Sequence, residues 1–141
     1  MLDVKWMLLP LFAQFLLTMG VYVISRMRRG EAVKKGLVKG RYFKTFEGEP
    51  PPRDVIAADQ LILNLFEMPV LFFTVALLII SLKLNDNVQM VLATLYVLIR
   101  FWHAYIKVQN GRLTQRALVF TISAIILTGM WVWLIIQSFS I

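Results

Sequence analysis

The sequence predicts an all-α membrane protein built as a four-helix transmembrane bundle. Of its 141 residues, 59% are hydrophobic and 16% are charged, and a mean hydropathy of +0.71 marks more apolar surface than a soluble globule of this size can bury. The apolar residues fall into four windows, each long enough to cross about 30 Å of hydrocarbon at about 1.5 Å per residue. Most basic residues lie between these windows. Together these observations predict four membrane-spanning helices.

The first predicted span covers about residues 6–25, and we expect it to remain in the mature protein. Its apolar part is as long as a full transmembrane helix, and no small-residue cleavage pattern follows it. The heaviest basic cluster comes after the span, whereas a secretory signal peptide carries its positive charge before the apolar region.

A long basic loop, about residues 26–56, follows the first span. It contains Glu31, Glu47 and Glu49 against a larger set of cations: Arg26, Arg28, Arg29, Lys34, Lys35, Lys39, Arg41, Lys44 and Arg53. Because cytoplasmic loops carry an excess of Lys and Arg, we expect this loop in the cytoplasm and both termini outside. The net charge of +7 then reflects topology and attraction to anionic lipid headgroups, and we expect no nucleic-acid partner.

The remaining spans cover about residues 61–82, 88–108 and 117–139, so residues 1–141 form a single transmembrane domain. Lys107, Arg112 and Arg116 lie near the connection between the third and fourth spans, which places that connection on the same side as the long loop. Trp131 and Trp133, near the far end of the fourth span, fit either an aromatic belt at the outer interface or ordinary helix packing.

Two neighbouring spans carry polar residues at helical spacing. Gln60, Asn64 and Glu67 share one face of the second span, following the i, i+4, i+7 pattern. The third span carries a similar polar face, formed by Arg100, His103 and Lys107. Both faces occupy the cytoplasmic half of the predicted bundle.

The depths of these residues predict an ion pair between the two spans. At about 1.5 Å per residue, Glu67 lies about 12 Å and Arg100 about 13 Å from the cytoplasmic ends of their helices. A lone charge near the bilayer centre costs roughly 3 kcal/mol, so we expect the two side chains to face inward and pair. Pro69 also frees the carbonyl of Leu65. These features predict a hydrated pocket open to the cytoplasm, while a purely structural ion pair that fixes helix register remains an alternative.

Several function classes are excluded or disfavoured. The absence of cysteine excludes disulfides, thiolate metal sites and a cysteine nucleophile, and the single histidine argues against a metal centre. A proton relay through Glu67, Arg100 and His103 would need polar groups in the outer half of the bundle as well. Beyond Glu67 the second span is almost wholly apolar, with the sequence VLFFTVALLII, which disfavours a transporter.

The order and spacing of the polar residues resemble those of the MAPEG family of membrane proteins in eicosanoid and glutathione metabolism. By spacing, the resemblance is nearest to the microsomal prostaglandin synthase and microsomal glutathione transferase branch, and we expect a bacterial-type member in an inner membrane. It is carried by Asn64-x-x-Glu67-x-Pro69, Arg100-x-x-His103, Arg112 and Arg116.

The resemblance implies a homotrimer with glutathione sites between neighbouring protomers and a lipophilic small molecule as second substrate. Carried over by position, Asn64 and Glu67 would contact glutathione, His103 would be a further contact, and Arg116 would stabilise the thiolate. The remaining glutathione contacts expected around this site are Arg100, Gln60 and Arg112.

Three departures from the family pattern keep two functions open. Gln60 stands where such enzymes carry an arginine, Lys107 where a tyrosine is common, and Ala117 where a serine can occur. The first function is a glutathione-dependent transferase or peroxidase acting on lipophilic electrophiles. The alternative is a non-catalytic protein of the same fold that binds a lipid or another anionic ligand. The electrophile, and the choice among conjugation, peroxide reduction and isomerisation, stay open.

Overall fold

The structure is a computed structural model that describes residues 3–109 and 111–140. Four of its helices, α1, α3, α4 and α5, are long and apolar enough to cross a membrane, which confirms the predicted all-α class and four-helix bundle. The protein is thus an integral, multi-pass membrane protein. The helices of the described residues are α1 (Val4–Lys34), α2 (Tyr42–Thr45), α3 (Arg53–Ser81), α4 (Asn87–Val108) and α5 (Leu113–Phe139).

The long helices extend beyond the apolar windows, so part of the predicted loop at residues 26–56 is wrong. Residues 26–34 continue α1 and residues 53–56 begin α3. The reason is that the segment after the first window is rich in Arg, Glu, Ala and Lys, all adequate helix formers. Helix α1 ends at Lys34, and Gly36, just beyond the C-cap Lys35, has a φ of +71° that allows a Schellman motif. In that motif the Gly36 amide donates to the Val33 carbonyl and the Leu37 amide donates to the Ala32 carbonyl, both at 3.0 Å.

The connection between α1 and α3 packs onto the two helices that it joins. Ala32, Val38 and Val55 form a small buried cluster there, and the aromatic rings of Tyr42 and Phe43 on α2 pack against it. This end of the bundle, where α1 and α4 end and α3 and α5 begin, is called the basic end below.

A carboxylate ties α1 to α3 at the basic end. Asp59 accepts hydrogen bonds from the Ser25 hydroxyl at 2.7 Å and from Arg29 Nε at 2.9 Å. The Arg29 guanidinium also lies 4.9 Å from the centre of the Phe43 ring. These contacts fix the height of α3 relative to α1, and thereby the height of the polar residues on α3.

Helices α3 and α4 form the centre of the bundle, with α1 packed against one side of the pair and α5 against the other. The apolar core is divided into two clusters along the bundle axis. The cluster nearer the basic end contains Leu17, Val21, Leu61, Leu65 and Ala104. The cluster farther from the basic end contains Met7, Leu11, Phe72, Val75, Ala76, Ile79, Ala93, Tyr96, Val97, Leu127, Met130 and Leu134.

The turn between α3 and α4 is held against the end of α5 by one carboxylate. Asp86 caps α4, since its Oδ1 accepts from the Gln89 amide at 2.8 Å. Its Oδ2 accepts from Trp133 Nε1 at 2.9 Å and from Gln137 Nε2 at 3.2 Å. Trp133 therefore has a defined structural role inside the protein, in line with the packing alternative.

Candidate functional site

A groove near the basic end brings together three of the residues that the sequence analysis selected: Asn64, His103 and Arg116. Its volume is about 310 Å³. The groove is formed by α3, α4 and the first turns of α5, and its other lining residues are Leu113, Ala117, Phe120 and Thr121. It therefore combines polar donors with an apolar side.

Arg116 supplies the positive charge that lines this groove. It lies in the first turn of α5, its side chain is partly exposed, and its Nε is buried without a hydrogen-bond partner among the described residues. A guanidinium stays protonated, so this group offers donors and a fixed charge to whatever occupies the groove. Arg112, one turn earlier, is exposed and does not line the groove.

His103 is buried on α4, and its ring centre lies 5.8 Å from that of Phe120. Its Nδ1 has no hydrogen-bond partner in the described part of the chain. The ring is therefore held by packing, and one nitrogen is left to interact with a ligand.

Arg100 lies behind the groove rather than in it. Its side chain is 0% exposed, and one guanidinium nitrogen donates to the Asn64 carbonyl at 3.4 Å. The guanidinium carbon is 5.7 Å from the centre of the Phe120 ring, close enough for a cation–π attraction. Phe120 thus contacts both His103 and Arg100.

The predicted ion pair between Glu67 and Arg100 is wrong. Glu67 is exposed on the outer surface of the protomer, and no ion pair joins the two side chains in the described residues. The buried stripe of α3 passes through Leu61 and Leu65, and Glu67 lies about 200° around the helix axis from Leu65. Equal depth was a sound inference, but depth does not fix the direction in which a side chain points.

The register between α3 and α4 is nevertheless the predicted one. Lys107 Nζ donates to Gln60 Oε1 at 2.9 Å, which joins the two residues placed nearest the cytoplasmic surface. Lys107 is only 3% exposed, and no carboxylate within the described ranges forms an ion pair with it. Its hydrogen bond to Gln60 therefore leaves the positive charge of Lys107 without a counter-charge in the described residues.

The charge around the groove is one-sided. The cations Arg100, Lys107 and Arg116 lie in or next to it, and none of its lining residues is acidic. In a poorly solvated region such a set of donors favours an anionic ligand.

The sequence model of the MAPEG family matches residues 5–136, nearly the whole chain. The chain belongs to the MAPEG family. No curated protein and no solved structure matches it significantly.

MAPEG membership agrees with a glutathione-related function in the membrane, and the geometry adds residues that the sequence analysis missed. Phe120 and Thr121 line the groove one turn beyond Arg116. Phe120 lies four residues after that arginine, and this spacing was the available signal, since residues four apart share a helix face. Gln14 on α1 was also missed, although a lone amide in an apolar span is conspicuous.

Proposed function

We propose that this chain is a glutathione-dependent membrane transferase or peroxidase acting on lipophilic electrophiles. The observation that carries the proposal is the groove lined by Asn64, His103 and Arg116, which is positively charged and has an apolar side. Glutathione fits these residues chemically, because it carries two carboxylates and an ionisable thiol. When bound, it supplies the thiolate nucleophile, so a chain without cysteine needs no nucleophile of its own.

Arg116 is the residue that we assign to thiolate stabilisation. A free thiol with a pKa near 8.5 is a few per cent ionised at neutral pH, and lowering that pKa to about 6.5 requires about 2.7 kcal/mol of preferential thiolate stabilisation. One poorly solvated guanidinium is sufficient for this. Because it keeps its proton, it acts as an electrostatic clamp and not as a general base.

The other residues bind and orient the ligand. The Asn64 amide and the free nitrogen of His103 are positioned to hydrogen-bond the peptide, and Lys107 and Arg100 contribute positive charge from behind the groove wall. Leu113, Ala117 and Phe120 provide the apolar side, from which an electrophile dissolved in the bilayer would approach. We place the groove in the cytoplasmic half of the membrane, since the basic end should face the cytoplasm.

The proposal includes a homotrimer whose protomers cover Glu67. This carboxylate lies on a surface whose neighbours, Leu63, Phe66 and Val70, are all more than half exposed. Glu67 lies eight residues beyond Asp59 along α3, which is about 12 Å at about 1.5 Å per residue, so we expect this surface to lie inside the bilayer. A carboxylate facing lipid there costs roughly 3 kcal/mol, which favours a neighbouring protomer or the ammonium group of glutathione as its partner.

Calorimetry and thiolate absorbance on the purified protein test the function. Wild type should bind glutathione and raise its absorbance near the thiolate band, and Arg116→Ala should lose that signal while keeping the oligomer. The exposed Arg53→Ala variant serves as a matched control and should behave as wild type. Absence of glutathione binding to wild type would exclude the proposal, whereas native mass spectrometry of the intact oligomer tests the trimer separately.

The alternative, a non-catalytic member that binds a lipid or another anion, is favoured by one contact. Lys107 donates a hydrogen bond to Gln60, so these two side chains bind each other, whereas residues dedicated to glutathione would be left open for the ligand. Mass spectrometry of the purified protein should then reveal one co-purifying anionic ligand. Recovery of bulk lipid alone would count against this alternative.

A further inference from the structure

A cavity of about 400 Å³, called the loop cavity below, lies at the basic end between the end of α1 and the chain on either side of α2. No residue lines both this cavity and the groove that contains Arg116. Lys39 and Arg41 line the loop cavity from the segment before α2, and Glu47 and Glu49 line it from the segment after α2. The loop cavity therefore has side chains of both charges in its wall.

The four charged side chains of the loop cavity form no ion pair with one another or with any other charge of the described residues. Ion pairs do form nearby, since Lys35 Nζ lies 2.6 Å from Glu31 Oε1 at the end of α1. The loop cavity instead keeps two cations and two carboxylates in one wall without pairing them. This arrangement suits a ligand that itself carries one negative and one positive group.

An aromatic ring belongs to the same wall. Tyr42 lines the loop cavity, and its ring is held edge-on by Phe43 and Phe46, whose ring centres lie 5.5 Å and 5.9 Å away. Aromatic rings attract ammonium groups as well as guanidinium groups. The ring therefore adds to the two carboxylates as a place for a positive group.

The loop cavity lies at the level of the lipid headgroups. On α2, the Phe43 ring lies 4.9 Å from the guanidinium of Arg29, which is four residues, or about 6 Å, beyond the end of the first apolar window at Ser25. The headgroup layer is about 5–7 Å thick on each side of the hydrocarbon. Leu37, which lines the loop cavity, and Phe46 are 57% and 60% exposed. Large apolar side chains exposed on a charged segment are typical of a surface that contacts a membrane interface.

We propose that the loop cavity binds the headgroup of a membrane phospholipid that carries a primary ammonium, of the phosphatidylethanolamine class. Lys39 and Arg41 bind the phosphate, and Glu47 and Glu49 accept hydrogen bonds from the ammonium group. A purely anionic headgroup leaves both carboxylates without a partner, and a quaternary ammonium has no hydrogen to donate to them. The site does not rest on the proposed glutathione function.

Native mass spectrometry of the purified protein, titrated with lipids of identical acyl chains, tests the site. Phosphatidylethanolamine should bind about tenfold more tightly than phosphatidylglycerol and phosphatidylcholine, since hydrogen bonds between charged groups are lost with the latter two. Attraction by the net positive charge alone predicts the opposite order, with phosphatidylglycerol first. Equal or tighter binding of phosphatidylglycerol would overturn the proposal, and this comparison needs only the wild-type protein.

Substitutions in the wall of the loop cavity test which residues recognise the headgroup. The double variant Glu47→Gln/Glu49→Gln should lose the preference for phosphatidylethanolamine over phosphatidylglycerol, and Arg41→Gln should lower the affinity for phosphatidylethanolamine about tenfold. Asp54→Asn and Lys44→Gln are matched controls, because these exposed charges lie in or next to the same segment but do not line the loop cavity. Both controls should retain the preference. An unchanged preference in the double variant would overturn the assignment.

A soluble compound with the same headgroup distinguishes a membrane lipid from a soluble ligand. Glycerophosphoethanolamine carries the phosphate and the ammonium group but no acyl chains. In the same titration it should bind much more weakly than the lipid, because it cannot use the exposed apolar side chains of Leu37 and Phe46. Equal affinity for the two compounds would overturn the assignment of the loop cavity to a membrane lipid.

Discussion

Asp86 offers the sharpest test of how the turn between α3 and α4 is attached to α5. Its two oxygens serve different partners: Oδ1 caps α4 through the Gln89 amide, and Oδ2 receives Trp133 Nε1 and Gln137 Nε2. An N-cap is worth about 1 kcal/mol, and a hydrogen bond to a charged group about 1.5 kcal/mol or more. Asp86→Ala should therefore lower the free energy of unfolding by about 3–4 kcal/mol.

Asp86→Asn separates the cap from the contacts to α5. Asparagine is an equally good N-cap, but its side-chain NH₂ would face the two donors of α5. The free energy of unfolding of this variant should therefore fall by about 2–3 kcal/mol, which leaves it about 1 kcal/mol more stable than Asp86→Ala. Unfolding in mixed micelles, followed by circular dichroism, measures both. Combining Asp86→Ala with Trp133→Phe in a double-mutant cycle isolates the indole contact. If Asp86→Asn is as stable as wild type, the assignment of Oδ2 as the acceptor from α5 is refuted.

Three further substitutions test other contacts. Lys107→Met removes a buried ammonium whose hydrogen bond among the described residues goes to the Gln60 amide, so the Tm should rise by a few degrees. In calorimetry the proposed glutathione affinity should fall about tenfold. Unchanged affinity would mean that the cation is too distant to act on the ligand. Gly111→Ala places a Cβ 2.7 Å from Ile106 Cγ2. It should lower the free energy of unfolding by about 1–3 kcal/mol in the same micelle assay. An unchanged stability would show that the turn at Gly111 has room for a side chain. Lys83 has a φ of +55°, so Lys83→Gly should raise the stability by about 1 kcal/mol, whereas a loss would show that its side chain has a role of its own.

The sequence predicted the membrane class and the four spanning helices because the apolar windows are long and separated by charge. It misjudged the end of α1, since an apolar window reports where the bilayer ends and not where helical hydrogen bonding ends. Residues 26–34 are charged but helix-forming, and the termination signal was Gly36.

At the site, depth along the second and third spans predicted that Asn64 and His103 lie level, and Arg116 was placed near the pocket mouth by its position at the start of the fourth span; the structure brings the three together in one groove. The same logic failed for Glu67. A helix in a bundle has one face toward its partners, and only the positions of Leu61 and Leu65 in the core reveal which face that is. The contact of Phe120 with both His103 and Arg100 needed the relative rotation of α4 and α5, which a single sequence does not contain.

The ring of Phe120 over the Arg100 guanidinium has a consequence for how ligand binding responds to salt. Dissolved ions screen charges that water can reach, and they screen enclosed charges much less. The dependence of glutathione affinity on ionic strength should therefore report mainly the charge of Arg116, at the rim of the groove, and only weakly the charge of Arg100. The slope of a salt titration should therefore give fewer positive charges than the number that attract the proposed tripeptide ligand.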